Sequence, residues 1–196
     1  MTHRFGLRFR TGRSRYGYTL IELLLVVGLL GLAGAIVVPS LQNEDDTDVQ
    51  AAVRKLIGDL SFAQSDSVAR QEFRRVHFFE DGSGYAIERV TSATIDTEFD
   101  PLNADYIRDP LGSPGSLGRY IVNYSVDNRF RNVSISEVAI DTDKRQLVYD
   151  SLGGTVIGAG STPSAGGTIE INAADTTYRI TVSAFTGKLS VERLDP

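Results

Sequence analysis

The feature that most constrains this chain is an uncharged stretch close to its N-terminus. No charged residue occurs over the 21 positions from Leu23 to Asn43, and most side chains there are aliphatic. A helix rises about 1.5 Å per residue, so this stretch is long enough to cross a hydrocarbon core of roughly 30 Å. The sequence therefore predicts a membrane-spanning helix followed by a separate folded part.

Charge is distributed unevenly on the two sides of this stretch. Residues 1–17 contain five arginines and no acidic residue, whereas the rest of the chain carries 15 basic and 25 acidic side chains. Because basic residues mark the cytoplasmic side of a membrane helix, residues 44–196 are predicted to lie on the opposite side. The acidic body also argues against a nucleic-acid partner, which would need clustered positive charge.

Glu22 is a carboxylate at the start of the apolar stretch. Such a group costs about 2.5–3.5 kcal/mol near the centre of a bilayer, and less near the interface. We expect it to have a cationic partner in the same layer. Two alternatives leave Glu22 unexplained and stay open. One is a secretory signal peptide cut after Ala35 in Ala33-Gly34-Ala35, and the other is an uncut membrane anchor.

The residues around Glu22 also form a recognisable motif. Gly17-Tyr18-Thr19-Leu20-Ile21-Glu22, after a basic leader and before a long apolar run, resembles the type IV prepilin signature. The resemblance implies that a prepilin peptidase cuts between Gly17 and Tyr18 and methylates the new amine of Tyr18. It also implies that Glu22 pairs with the N-terminal amine of a neighbouring subunit during filament assembly. The family usually has Phe after the cut, so Tyr18 is a mild departure.

A second helical segment is predicted after the acidic stretch Glu44–Asp48. Apolar residues recur there at spacings of three and four, which is typical of a helix with one buried face: Val49, Val53, Leu56, Ile57, Leu60, Ala63 and Val68. Joined to the apolar stretch, this predicts one helix from about Thr19 to about Gln71, roughly 80 Å long. Pro39 is expected to kink it, because proline removes a backbone hydrogen bond.

From Arg74 onward the periodicity changes to two, which predicts β-strands. Turns are predicted at Asp81–Gly84 and at Thr186-Gly187. The expected strands are Arg75–Glu80, Tyr85–Val90, Tyr120–Val126, Val133–Ile140, Gln146–Tyr149, Thr168–Asn172, Tyr178–Ala184 and Lys188–Arg193.

The predicted fold class is α+β, with a long N-terminal helix, transmembrane and then amphipathic, packed on a mostly antiparallel β domain, the pilin-like fold. The predicted segments are a basic leader (1–17), a hydrophobic membrane or filament-core helix (18–43), an amphipathic helix half (44–73), and a periplasmic β domain (74–196) with loops near 91–118 and 151–167.

Two later segments extend the resemblance. Arg54–Ser65 is similar to the second helix half of the GspH/FimT group of pseudopilins. Val148–Gly154, together with Ile180–Val182 and Thr186–Leu189, is similar to the C-terminal strands of that group. The resemblance implies a minor pseudopilin of a type II secretion system, anchored once in the inner membrane with its C-terminal domain in the periplasm. Its implied partners are the prepilin peptidase and other pseudopilin or pilin subunits. The alternative is a minor type IV pilus pilin acting in adhesion or DNA uptake.

The residues provide no constellation for catalysis, so we expect a structural protein and no enzyme. The chain has no Cys and two His, which excludes thiol nucleophiles and thiolate metal sites. His77 lies in an alternating strand and is interpreted as a surface or core-edge residue.

Three charged stretches have an ordinary structural interpretation. The acidic residues at Glu44–Asp48 and Asp141–Asp143 leave calcium open, but a calcium cage needs six or more oxygens, and we expect no metal or cofactor. The one local basic cluster, Arg70, Arg74 and Arg75, is interpreted as a solvated helix end.

Overall fold

The computed structural model describes residues 17–41, 44–142, 144–158 and 162–194, with the backbone alone at 34–41 and 44–46. The chain divides into two units, Met1–Gln42 and Asn43–Pro196. The predicted leader lies outside the described residues except for Gly17. So do Gln42 and Asn43, so the continuity of the predicted helix between its two halves stays a prediction.

The first unit contains helix α1 (Leu20–Leu41). Its described side chains are largely exposed, from Leu20 at 79% to Val26 at 48%. The backbone continues as helix past Pro39 to Leu41, and the predicted kink stays a prediction. Over the described part of the chain, no helix is both long enough and apolar enough to span a membrane. The membrane placement of residues 18–43 is likewise still a prediction.

The second unit begins with helix α2 (Glu44–Arg70). Its buried face is the predicted one, since Val49, Leu56 and Leu60 are fully buried. Val68 was predicted to continue this face, but the side chain is 47% exposed. Ser67 takes the buried position instead, because its hydroxyl donates to the Gln64 carbonyl oxygen at 2.7 Å and so is satisfied within the helix.

In the described part of the chain, nine strands follow α2 and form two antiparallel sheets. The strands are β1 (Phe73–Phe78), β2 (Gly84–Val90), β3 (Ile121–Asn123), β4 (Ser134–Ile140), β5 (Gln146–Tyr149), β6 (Thr155–Val156), β7 (Gly166–Ala173), β8 (Thr176–Ser183) and β9 (Leu189–Leu194). The first sheet has the order β3-β2-β1-β5-β6, and the second has the order β4-β7-β8-β9. Helix α2 lies against β1 and β5 of the first sheet and β7 and β8 of the second. The predicted α+β class, a helix packed on antiparallel strands, is confirmed.

All eight predicted strands are present, with their ends shifted by at most 3 residues. Both predicted turns are present too, since β1 pairs with β2 and β8 pairs with β9 in antiparallel register. Strand β3 stops early because the Asn123 side chain accepts a hydrogen bond from the Ser125 amide at 2.9 Å and turns the chain.

The predicted loop at 151–167 was wrong in part. Strand β6 lies within it and pairs with β5, and β7 starts at Gly166 rather than after the loop. A strand of two residues cannot show a periodicity, so the sequence pattern had nothing to reveal there.

The predicted loop at 91–118 contains no regular strand but is attached to the first sheet. Its segment 105–107 bonds to β2 beyond the end of β3, through Arg89 N to Asp105 O at 2.8 Å and Ile107 N to Ile87 O at 3.2 Å. Nearer its start, fully buried Ile95 belongs to a small second core with Val90, Val148 and Val156.

Candidate functional site

The predicted cleavage site lies just ahead of the first turn of α1. Gly17 and Tyr18 precede the helix, which begins at Leu20. Among the described residues, nothing lies within 4 Å of a Cβ built on Gly17, and Tyr18 is 84% exposed. The bond between them belongs to no helix or strand.

Glu22 occupies the third helical position, and Thr19 occupies the N-cap. The Glu22 amide donates to Thr19 Oγ1 at 3.3 Å, and the Leu23 amide donates to the Thr19 carbonyl oxygen at 3.2 Å. Thr-x-x-Glu at a helix start is the capping-box pattern, and a carboxylate in the first turn also suits the helix dipole. The sequence analysis did not predict this capping role, although the Thr-x-x-Glu pattern from Thr19 to Glu22 indicates it.

On both sides of Glu22, the described side chains of α1 are apolar and point in all directions. Exposed fractions between 48% and 79% are found for ten of them: Leu20, Ile21, Leu23, Leu24, Leu25, Val26, Val27, Leu29, Leu30 and Leu32. Exposed apolar surface of this extent marks an interaction site for protein or lipid.

The basic cluster predicted at the end of α2 is neutralised by local ion pairs. Arg74, which is 1% exposed, bonds to Asp66 at 2.6 Å and to Glu72 at 3.0 Å. Arg70 bonds to the same Asp66 at 2.9 Å. Burial raises the pKa of the Asp66 carboxyl, but hydrogen bonds from the two arginines outweigh this effect and lower it overall. The cluster was interpreted as a solvated helix end, and for Arg74 that was wrong.

The third arginine of that cluster is also buried. Arg75, at 2% exposure, donates to Glu88 at 2.6 Å and to the Thr97 carbonyl oxygen at 2.7 Å. It therefore holds the 91–97 segment against the sheet. These contacts leave Arg74 and Arg75 without a free face for phosphate groups.

His77 lies half-buried in β1, which agrees with its interpretation as a core-edge residue. Its ring stacks on Phe99 with centroids 4.1 Å apart. Burial, with help from the nearby charges of Arg75 and Arg145, lowers the pKa of His77 to about 4. The ring is therefore neutral at ordinary pH and packs as an aromatic group.

A buried polar network joins α2 to the first sheet. Asp59, at 4% exposure, accepts from Lys55 Nζ at 2.5 Å, from the Tyr85 hydroxyl at 2.6 Å and from the Tyr120 hydroxyl at 3.0 Å. Burial, with the Asp59 charge close by, raises the pKa of both tyrosines, so they stay protonated and donate. The sequence analysis missed this network, although a Lys-x-x-x-Asp pair beside the buried face of α2 pointed to it.

A second junction joins three segments that carried the sequence resemblance. Gln64 Nε2 donates to the Gly153 carbonyl oxygen at 2.7 Å and to the Thr186 carbonyl oxygen at 3.0 Å. Beside this junction lies a largely apolar cleft of about 440 Å³, which Leu152 and Phe185 also line.

Comparisons with known proteins found few similarities. No protein-family model matches the chain, and no curated protein matches it. Two solved structures of the type IV minor pilin FimU from Pseudomonas aeruginosa are similar to it. One, in space group P21, is 17% identical with a TM-score of 0.44 and covers 75% of this chain and 90% of its own. The other, in space group P65, is 16% identical with a TM-score of 0.41 and covers 73% and 91%. Identity this low does not transfer function.

Proposed function

We propose that the chain is a prepilin-like structural subunit. After cleavage between Gly17 and Tyr18 and methylation of the new amine, it assembles through α1 into a short periplasmic filament. The observation that carries the proposal is α1 itself. It is an apolar helix with exposed side chains that starts two residues after the Gly17–Tyr18 bond and holds a single carboxylate, Glu22, in its first turn.

The physical argument concerns burial and charge. Each apolar Å² removed from water contributes roughly 25 cal/mol, so packing such helices side by side supplies the association energy. The same packing would bury Glu22, and an unpaired buried carboxylate is strongly penalised. A methylated amine on Tyr18 of a neighbouring subunit is the cation that removes this penalty, and it would set the axial register.

The first experiment is the intact mass and N-terminal sequence of the protein recovered from its native membrane. We expect a chain that starts at Tyr18 and carries one extra methyl group. A start at Ile36 would identify an ordinary secretory signal peptide, and an intact Met1 would identify an uncut anchor. Either result would refute the proposal.

The role of Glu22 is tested with two substitutions, because capping needs a side chain that forms hydrogen bonds, whereas charge pairing needs a negative charge. Glu22→Gln removes the charge, but a Gln at this position can still take part in a capping box, whereas Glu22→Ala removes both functions. We expect both variants to be cleaved normally and both to fail to enter filaments. If Glu22→Gln assembles like the unchanged protein and only Glu22→Ala fails, the carboxylate acts by capping and the register argument is wrong.

We assign the filament to a type II secretion system on the resemblance of Arg54–Ser65 and the C-terminal segments to pseudopilins. A minor pilin of a type IV pilus is the alternative. Deletion of the gene, scored for loss of secreted proteins in the medium and for loss of pilus-dependent motility, separates the two. The internal pairing of Arg74 and Arg75 weighs against a DNA-binding version of the alternative.

A further inference from the structure

The cleft beside Gln64 has the size and the lining of a binding site. Its volume is about 440 Å³, within the range of roughly 300–1,000 Å³ that is common for ligand sites. Its walls include Leu152, Val156 and Phe185, and Asp150 is the ionisable side chain among its described lining. In an apolar recess with few polar groups, those polar groups select the ligand.

Asp150 keeps one carboxylate oxygen available to an occupant. The Leu152 and Gly154 amides both donate to Oδ1 of Asp150, at 2.9 and 2.8 Å, so this oxygen is satisfied and the side chain is held in one orientation. Oδ2 accepts from no described residue, and the carboxylate forms no ion pair with a described Lys or Arg. The cleft therefore presents an unpaired negative charge to whatever enters it.

Gln64 contributes a second acceptor. Its Nε2 donates to the Gly153 and Thr186 carbonyl oxygens at 2.7 and 3.0 Å, which fixes the orientation of the amide. The Oε1 of Gln64 accepts from no described residue. Such oxygens suit an occupant that brings donors alone, and a lysine ammonium has three donors and no acceptor.

The single available oxygen of Asp150 favours lysine over arginine. A guanidinium binds a carboxylate best through two parallel N–H···O bonds and so needs both oxygens, whereas an ammonium binds as a point charge. On Asp150, two backbone amides already occupy Oδ1. Oδ2 alone therefore offers an ammonium its full contact, but offers a guanidinium only half of its own.

The rim of the cleft fits the aliphatic stem of a lysine. Three apolar side chains at this rim are exposed: Val68 at 47%, Leu152 at 86% and Phe185 at 64%. Val68 belongs to the rim because a Cβ built on Gly153 would lie 2.9 Å from its Cγ2. A lysine covers apolar surface with its methylene groups while its charged end reaches a polar partner. The rim thus matches the stem, and Asp150 matches the charge.

Phe185 is held at this rim in a strained conformation. Its φ is 63°, a left-handed value that a bulky residue rarely adopts. The Phe185 amide donates to the Ser164 carbonyl oxygen at 3.1 Å, and its own carbonyl oxygen accepts from the Thr155 amide at 3.0 Å. Backbone strain of this kind is concentrated at binding sites. An aromatic ring in the lining also attracts a cation that lies over its face.

The lysines of this chain do not suit the cleft of a second copy. The chain has three of them: Lys55, Lys144 and Lys188. The first forms the ion pair with Asp59 beneath α2. The second directly follows Asp143, a carboxylate that would be repelled by Asp150. The third lies in the same hairpin as Phe185, which already lines the cleft. The lysine that fits must therefore come from a different protein.

We propose that the cleft binds a lysine side chain of a partner protein, with the ammonium on Oδ2 of Asp150 and the stem against Leu152 and Phe185. A partner that exposes a lysine between apolar residues fits both the cleft and its rim. The excess of acidic over basic side chains in residues 18–196 attracts such a partner over a longer distance. The inference goes beyond the proposed function, because it depends on neither cleavage nor filament assembly.

Binding of short peptides to the full chain in detergent tests the inference by fluorescence anisotropy. The probes are labelled peptides of one sequence, in which a lysine between two valines is replaced by norleucine, arginine or glutamate. We expect the lysine peptide to bind about tenfold or more tightly than the norleucine peptide, because it adds a charge-assisted hydrogen bond. The arginine peptide should bind more weakly than the lysine peptide, and the glutamate peptide should not bind.

Three variants locate the binding site. Asp150→Asn should abolish the preference for lysine over norleucine, since it keeps an oxygen for the Leu152 and Gly154 amides but has no charge. Asp100→Asn is the matched control and should leave that preference unchanged. Asp100 accepts from the Leu102 amide at 2.9 Å in the same kind of turn, but outside the cleft. Leu152→Ser should weaken the lysine and norleucine peptides by the same factor, because both lose the same apolar contact.

The opposite results would overturn the inference. Equal binding of the lysine and norleucine peptides, or no lysine-dependent binding at millimolar peptide, would mean that Asp150 selects no cation. An equal effect of Asp150→Asn and Asp100→Asn would mean a general attraction by net charge. Tighter binding of the arginine peptide would refute the choice of lysine, and dissociation of oligomers of the chain by the lysine peptide would make a second copy the occupant.

Discussion

Substitution of Asp59 by Ala should cost the second unit about 3–5 kcal/mol of unfolding free energy. The carboxylate is 4% exposed and accepts from one ammonium and two phenol groups, each within 3.0 Å. Truncation leaves Tyr85 and Tyr120 without the acceptor, and an unsatisfied buried hydroxyl costs about 1–3 kcal/mol. Removal of one member of a buried ion pair costs about 3–5 kcal/mol. Because the Lys55 side chain is 13% exposed, water relieves part of that cost.

The assay is thermal unfolding of the full chain in detergent, followed by far-UV circular dichroism, since the chain contains no Trp. For a unit of about 150 residues, 1 kcal/mol shifts the Tm by roughly 2–4 °C, so the expected decrease is roughly 6–20 °C. Asp59→Asn should cost less, about 2–3 kcal/mol, because its carbonyl oxygen still accepts from one tyrosine.

The matched control removes both charges. Asp59→Ala combined with Lys55→Met should be more stable than Asp59→Ala alone, because no unpaired ammonium is left. A loss below about 1 kcal/mol for Asp59→Ala would show that the network does not hold α2 on the sheet.

The remaining predictions concern single sites. His77 has a folded pKa of about 4, below its unfolded value of about 6.5. The stability that it contributes is therefore full above pH 6.5 and lost as the pH falls toward 4, at up to about 1.4 kcal/mol per unit. His77→Phe keeps an aromatic ring against Phe99 and should reduce the difference in unfolding free energy between pH 7 and pH 4.5. An unchanged difference would show that His77 is not the source of this pH dependence. Gly187→Ala should destabilise by about 1–3 kcal/mol, since its Cβ would lie 2.8 Å from Thr155 Cγ2 at a φ of 65°. Gly58 is exposed on α2 with open space around it, so Gly58→Ala should instead raise the unfolding free energy by about 0.5–1 kcal/mol in the same thermal unfolding experiments. Equal effects of the two glycine substitutions would refute the packing argument.

The spacing of apolar residues predicted the type and order of most helices and strands. The apolar spacing in α2 and the alternation after Arg74 each follow from burying one face of a regular element, so element type and order could be read locally. Where burial did not follow spacing, the prediction failed. Val68 continued the apolar pattern, but its side chain is 47% exposed.

The candidate functional residues also fall into those that the sequence predicts and those that it does not. The segment from Gly17 to Glu22 is contiguous, so its motif, its cap and its charge are all present in six neighbouring residues. The arginines after α2 are contiguous too, but their charge balance was not predictable. Arg75 meets Glu88 only because β1 and β2 pair in register.

By itself, the sequence determined an apolar helix with one carboxylate at its start and an amphipathic helix followed by strands, because each of these is set by neighbours within a few residues. Only the tertiary structure decided which distant residues meet. Asp59 and Tyr120 are 61 positions apart, and Gln64 and Thr186 are 122 positions apart. The packing of α2 across both sheets brings these groups together, and a local pattern holds no information about partners so far along the chain.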